Sequence, residues 1–182
     1  MSELFDELDE NGNLTGNVID RDKAHKVGAW HRAVLLCIIN SMGQVFMQKR
    51  SATKKLWGGC WDVACGGHIE AGEFGLPSII REAREELGIE LIPSDIHYVS
   101  CIRSDNKTDK RWDRHFNEYY IAFIDLDVGA IKTQAGEVDE VRWMDYADFK
   151  DMVKSRSPQI TAKWSAHDTY VKYLDKHAQK GI

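Results

Sequence analysis

Apolar residues in this chain come in short bursts whose spacing changes along its length. Ala33-Val-Leu-Leu-Cys-Ile-Ile39 is apolar without a break, the pattern of a central strand covered on both faces. After a turn over residues 40–43, Gln44-Val-Phe-Met-Gln-Lys-Arg50 reads as its partner strand. Upstream, Glu3 to Leu8 leads into Asn11-Gly12, a hairpin-turn step, so an N-terminal hairpin is predicted to end before Arg21. Residues 51–59 form a basic, tryptophan-containing loop, and Trp61 to Cys65 a short strand. The period then shifts to that of a helix over Leu76–Leu87, with Pro77 in its first turn and Gly88 closing it. Further strands are predicted at Ile89–Ile92, His97–Arg103, His115–Ile124 and Val138–Met144, with Ser104–Arg114 as a charged, mobile loop. Tyr146–Lys154 and Thr161–His177 read as two closing helices. Strands and helices mix without regular βαβ repetition, which predicts an α+β chain, an α/β/α sandwich around a mixed sheet.

The helix over 76–87 carries the candidate chemistry. At about 100° per residue, Glu82, Glu85 and Glu86 share roughly a third of its circumference. Ile79, Ile80, Ala83 and Leu87 form the adjoining apolar stripe that anchors it. Clustered carboxylates repel unless cations sit among them, and hard oxygen donors suit Mg²⁺ or Mn²⁺. Glu73 and Arg81 have opposite charge and suitable spacing to pair, and the glycines at 66, 67, 72 and 75 allow a tight loop before the helix. Taken alone, three glutamates on a helix are more often a solvated face than a metal platform.

Composition narrows the possibilities. The 182 residues suit one domain, numbered 1–182, with an N-terminal hairpin extension over about 1–28 and a C-terminal helical segment over about 146–180. A net charge of −5 supplies no global basic field for a nucleic-acid polymer. The run Ala33–Ile39 is too short to span a bilayer. Cys37, Cys60, Cys65 and Cys101 form no CxxC pair, and no signal-peptide pattern precedes them. Reduced thiols in a cytoplasmic protein are the expectation.

Gly67-His-Ile-Glu-Ala-Gly-Glu73, seven further residues and Arg81-Glu-Ala-Arg-Glu-Glu-Leu-Gly-Ile89 match every fixed position of the Nudix box, G-x5-E-x7-R-E-[apolar]-x-E-E-x-G-[apolar]. Resemblance to Nudix proteins implies a loop–helix–loop on an α/β/α sandwich. It also implies metal-dependent cleavage of a nucleoside diphosphate linked to another moiety. Position by position, it implies Glu82, Glu85, Glu86 and the Gly67 carbonyl as metal ligands, and Glu73 with Arg81 as the structural pair. Small diphosphates and a homodimer are the partners it implies.

A longer stretch, roughly residues 4–150, resembles the isopentenyl-diphosphate isomerase-like branch, through Ala24-His25, Trp30-His-Arg-Ala33, Gln48-Lys-Arg-Ser51, Trp57-Gly-Gly-Cys-Trp61 and Glu137-Val-Asp-Glu-Val-Arg-Trp143. The isomerase pattern has a catalytic cysteine just before Gly-His, three histidine ligands and an E-N-E strand. Here Gly66 holds that place with Cys65 one residue earlier, and the strand reads Phe116-Asn-Glu118. One step along a strand reverses the face, so hydrolysis is favoured over isomerisation. A nucleotide-binding module without turnover is the third reading, opposed by the intact box. His25 and His31 sit where the isomerase has ligands, but read first as hydrogen-bonded tethers; His68, beside the metal loop, is expected to touch the site.

Hydrolysis requires a base, and Glu85, Glu86, Glu137 and Glu118 are the candidates, with Glu118 also a possible extra metal ligand. Lys49, Arg50, Lys54 and Lys55 are expected at phosphates and Trp57 at the substrate.

Overall fold

A computed structural model describes residues 2–178. Strands β1 (Leu4–Leu8) and β2 (Leu14–Asp20) form the expected antiparallel hairpin. Its turn is tied by the Asp9 carboxylate, which accepts from the backbone N–H groups of Asn11 and Asn13 at 2.8 and 2.9 Å. An unpredicted helix follows, α1 (Arg21–Val27), capped by the Asp20 carboxylate and ended by Gly28 at φ 71°. Two turns with only two buried residues, Ala24 and His25, leave too little periodicity to detect.

β3 (His31–Ile39) is the spine of the seven-stranded sheet. It pairs in parallel with β8 (Trp112–Phe123) along its whole length. On its other side it meets β6 (Cys65–His68) near its start and β4 (Gln44–Arg50) only at Ile39. The strand order β5-β4-β3-β8-β7 is completed by β5 (Trp61–Val63) and β7 (Ile96–Lys107), while β9 (Val138–Asp145) pairs with β4. β7 and β8 extend to Lys107 and start at Trp112, so the expected loop over 104–114 is mostly paired strand and only residues 108–111 turn.

The unbroken apolar run of β3 is explained by burial on both faces. Val34, Leu36 and Ile38 meet Ile79, Ala83 and Leu87 of α2 (Gly75–Leu87). Leu35, Cys37 and Ile39 meet Phe149 and Val153 of α3 (Tyr146–Lys154) and Tyr170 and Leu174 of α4 (Trp164–Ala178). Each Val, Leu, Ile or Phe among them stabilises the fold by about 2 kcal/mol relative to exposure. The layers are therefore helix, mixed sheet, helices, with the hairpin and α1 at one end.

Ile89–Ile92 is not a strand. Gly88 turns the chain left-handed, and Ile89 and Leu91 fill the apolar layer beside α2 without pairing to the sheet. The last helix begins at Trp164 rather than Thr161, because the Thr161 N–H is committed to the Trp61 carbonyl at 2.8 Å. Residues 179–180 of the predicted C-terminal segment lie outside the described residues. Among the described residues, no helix is long and apolar enough to cross a membrane.

Candidate metal and diphosphate site

Helix α2 leans its apolar stripe on the sheet and turns its acidic stripe to the edge of β6 and β4. Gly67 faces Glu82 so closely that a Cβ there would stand 2.3 Å from the carboxylate. This position must be glycine for the glutamate to lie over the strand backbone. Arg81 organises the loop. Its guanidinium donates to Glu82 Oε1 at 2.8 Å, Glu85 Oε2 at 3.4 Å, Glu73 Oε2 at 3.2 Å and the His68 carbonyl at 3.1 Å. Ser78 Oγ adds a 2.7 Å bond to Glu73, and Arg32 donates to the Glu73 carbonyl at 2.9 Å. Burial works against ionising Glu73, but the bonds from Ser78 and Arg81 outweigh it and hold its carboxyl below the usual range.

The acidic stripe is graded. Glu85 is 55% exposed at its side chain, whereas Glu82 is 13% exposed. Burial raises the Glu82 carboxyl, opposed by Arg81. Glu86 is pushed up to about 8, by burial first and then by the neighbouring charge of Glu82. Its polar neighbour is the neutral amide of Gln48, 3.4 Å away. Glu137 joins this end because the Gln134 N–H docks on the Glu86 carbonyl at 2.9 Å, and Lys54 pairs with Glu137. Arg50 and Lys163 are near enough to temper the Glu86 carboxyl. Lys163 itself is tied to Asp62 at 2.7 Å.

These features meet a family pattern that covers most of the chain: the NUDIX domain profile matches residues 29–164. The chain belongs to the NUDIX family. It is 33% identical over 182 residues to Nudix hydrolase 3 of Arabidopsis thaliana, covering 95% of this chain but 23% of that protein, so it spans under a quarter of that relative. It is 27% identical over 163 residues to an isopentenyl-diphosphate Delta-isomerase of Cutibacterium acnes, covering 87% of this chain and 81% of that one. The crystal structure of DR0079 from Deinococcus radiodurans shares the fold at TM-score 0.69 and 22% identity, covering 96% and 98% of the two chains. NUDIX relatives of this kind generally use divalent metals.

Against the NUDIX pattern, several expected site residues stand elsewhere. Lys49 pairs in register with Trp61 and lies by its ring and Glu140, on the face opposite Gln48 and Glu86. A period of two separates neighbours on a strand, so Gln48 takes the place expected of Lys49. His68 lies on the face of β6 opposite Gly67; its carbonyl bonds Arg81, while its ring packs at 5.2 Å from that of His31. Glu118 accepts from the Tyr120 hydroxyl at 2.6 Å and abuts Gly75, the first residue of α2. Seven residues, or about 10 Å of helix, separate that point from Glu82. Lys55 and Trp57 are exposed in the loop before β5, where Trp57 adopts φ 54°. Cys65 is buried in the apolar layer beside α2, and burial followed by the charges of Glu86 and Glu82 pushes its thiol well up. Neither Gln48 nor Lys163 stands out in the sequence as a site residue. The strand period carries a signal for Gln48, but Lys163 reaches the site only through the chain's return after β9.

Proposed function

We propose that this chain is a metal-dependent diphosphohydrolase acting on a nucleoside diphosphate linked to another moiety, or on a related small diphosphate. The observation that carries this reading is Glu86, a carboxyl pushed up to about 8 among Glu82 and Glu137, with a neutral amide as its hydrogen-bond partner. Such a group stores unfavourable charge that a cation relieves. Glu82, Glu85, Glu86 and the Gly67 carbonyl would hold Mg²⁺ or Mn²⁺. When bound, the ions neutralise the diphosphate, polarise phosphorus and lower the pKa of water.

The chain's own residues then have separate tasks. Arg81 releases Glu82 and Glu85 to the cations while keeping Glu73 and the loop in place. Arg50 and Lys54 meet the terminal phosphate oxygens. Glu137, or Glu85 from the exposed side, takes a proton from the attacking water as the phosphoanhydride P–O bond breaks. We leave Glu118 outside the ligand set, since it is held at the far end of the helix by Tyr120. Isomerisation has less support, because Cys65 is buried on the α2 side of β6, away from His68.

Incubation with Mg²⁺ or Mn²⁺ and a panel of nucleoside diphosphate sugars, dinucleoside polyphosphates and isopentenyl diphosphate tests the reading. Phosphate-containing cleavage products are expected. Dimethylallyl diphosphate as the sole product, or no turnover of any member, would reject it.

A further inference from the structure

A charged pair reaches the acidic side from the far end of the chain. Lys163 Nζ stands 2.7 Å from Asp62 Oδ2, with the Asp62 side chain 1% exposed and that of Lys163 27% exposed. Backbone pairing brings the two together. The Trp61 N–H donates to the Gln159 carbonyl and the Thr161 N–H to the Trp61 carbonyl, both at 2.8 Å. Residues 159–161 therefore run along the outer edge of β5. Ile160 and Thr161 are buried, and the Thr161 hydroxyl lies 3.0 Å from His167 Nε2. Lys163, two residues on, is fixed at the sheet edge by these ties. Between β4 and β5, Gln48 stands directly across from Asp62, and opposed residues of an antiparallel pair share a face. Glu86, Gln48, Asp62 and Lys163 thus form one polar row that starts on α2 and crosses two strands.

Local structure does not call for a lysine here. The Lys163 carbonyl accepts the N–H groups of Ala166 and His167 at 3.0 and 3.1 Å, so Lys163 is the residue that opens α4. Such positions favour Ser, Thr, Asp or Asn, and a cation there opposes the helix dipole. Nor does stability require the ion pair, since an apolar pair of similar volume often serves a buried site as well or better. What the arrangement does supply is one cation held at the rim by a buried carboxylate. Among the described residues, Asp62 is the only carboxylate at ion-pair distance from that ammonium. The charge of Lys163 reaches both Glu86 and Cys65, which places the ammonium on the α2 side of the sheet. Lys163 also lies past residue 150, outside the stretch that resembles the isomerase-like branch.

We propose that Lys163 is a substrate contact that binds a non-bridging phosphate oxygen of the diphosphate from the β5 side of the site. The assignment rests on the diphosphohydrolase reading and deepens it: the C-terminal segment, through the residue that opens α4, becomes part of the phosphate site. Asp62 engages one donor of the ammonium and leaves two for phosphate. A compact ammonium on a flexible stem meets phosphate as a point charge. Its partial exposure lets an anion reach it without opening the core. The pairing with Asp62 also keeps the ammonium off Glu86, which leaves that carboxylate to a cation. Arg50 and Lys54 approach from the loop before β5, so the phosphates are met from two sides.

The experiment compares the whole wild-type chain with Lys163→Met, Lys163→Arg and the double variant Asp62→Asn/Lys163→Met. Inorganic diphosphate is titrated by calorimetry in the presence of Ca²⁺, which reads binding apart from turnover. Lys163→Met should weaken binding at least about tenfold, and Lys163→Arg should keep most of the affinity. Lys163→Met also strands a buried carboxylate and loses stability on that ground alone. The double variant removes both charges, so its melting temperature should return close to that of wild type. Its diphosphate affinity should nevertheless stay at least about tenfold weaker, and on a substrate of the panel its KM should rise more than its kcat falls. A pure helix clamp would instead recover stability and binding together. A stable double variant that binds diphosphate as tightly as wild type therefore overturns the contact, and wild-type turnover of the panel would leave the hydrolase reading standing beside that result. A wild type that turns over no diphosphate removes that reading and the contact with it.

Discussion

The two sides of β6 differ sharply. On one side Gly67 yields space to Glu82, and carboxylates gather at the water-facing edge with Arg81 among them. On the other, one residue along, His68 joins a buried group of imidazoles with Phe5 stacked over it. Oxygen donors in reach of solvent suit an ion that keeps its waters and meets phosphate. A single step along a strand therefore separates two environments, an acidic edge and an aromatic nook of imidazoles, and the nook is assembled from α1, β3 and β8 as well as β6.

The largest expected effect breaks the acidic side alone. Glu85→Gln or Glu86→Gln should lower turnover by two or more orders of magnitude, with far-ultraviolet circular dichroism unchanged; a wild-type rate on a verified substrate would remove the helix as the platform. Arg81→Ala comes next. It cuts the bonds to Glu73, Glu82, Glu85 and the His68 carbonyl, so we expect a loss of about 2 kcal/mol in denaturant unfolding and a fall in turnover of at least tenfold.

The pH response sharpens the contrast. Glu86 is pushed up to about 8 in the fold against an ordinary value near 4.5. The unfolded chain ionises first as pH rises, so the folded state holds more protons across that window. Metal-free stability should therefore fall as pH rises from about 4.5 to about 8 and then level off. Glu86→Gln should flatten that slope in thermal unfolding. Because binding displaces the proton, Mg²⁺ affinity by calorimetry should strengthen with pH up to about 8.

Smaller effects test which side a cation serves. Lys54→Met frees Glu137 and, under the proposed function, removes a phosphate contact, with a several-fold rise in KM expected. Lys49→Ala should change the kinetics less than twofold, since Lys49 lies over Trp61 on the opposite face. An equal loss for both would erase the distinction between the Glu137 loop, where Lys54 pairs, and the Trp61 side of β4, where Lys49 lies.

Much of the acidic side was legible in advance. Glu82, Glu85 and Glu86 share a helix whose period places them together, and the Glu73–Arg81 pair follows from the same short segment. The both-faces burial of β3 was visible in its apolar run. Less legible were features in which local pattern is weak or misleading. Ile89–Ile92 has strand composition but fills space beside α2, and α1 is too short to announce itself.

What the sequence by itself determined is therefore local: the acidic helix, its glycine-bearing loop, and the strands whose period needs no partner. Only the tertiary structure decided that His31 faces His115, that Gln48 rather than Lys49 reaches Glu86, and that Lys163 arrives beside them. The physical reason is register. Strand pairing across eighty or so residues is set by how whole layers bury their apolar faces, and no short window of sequence contains that sum.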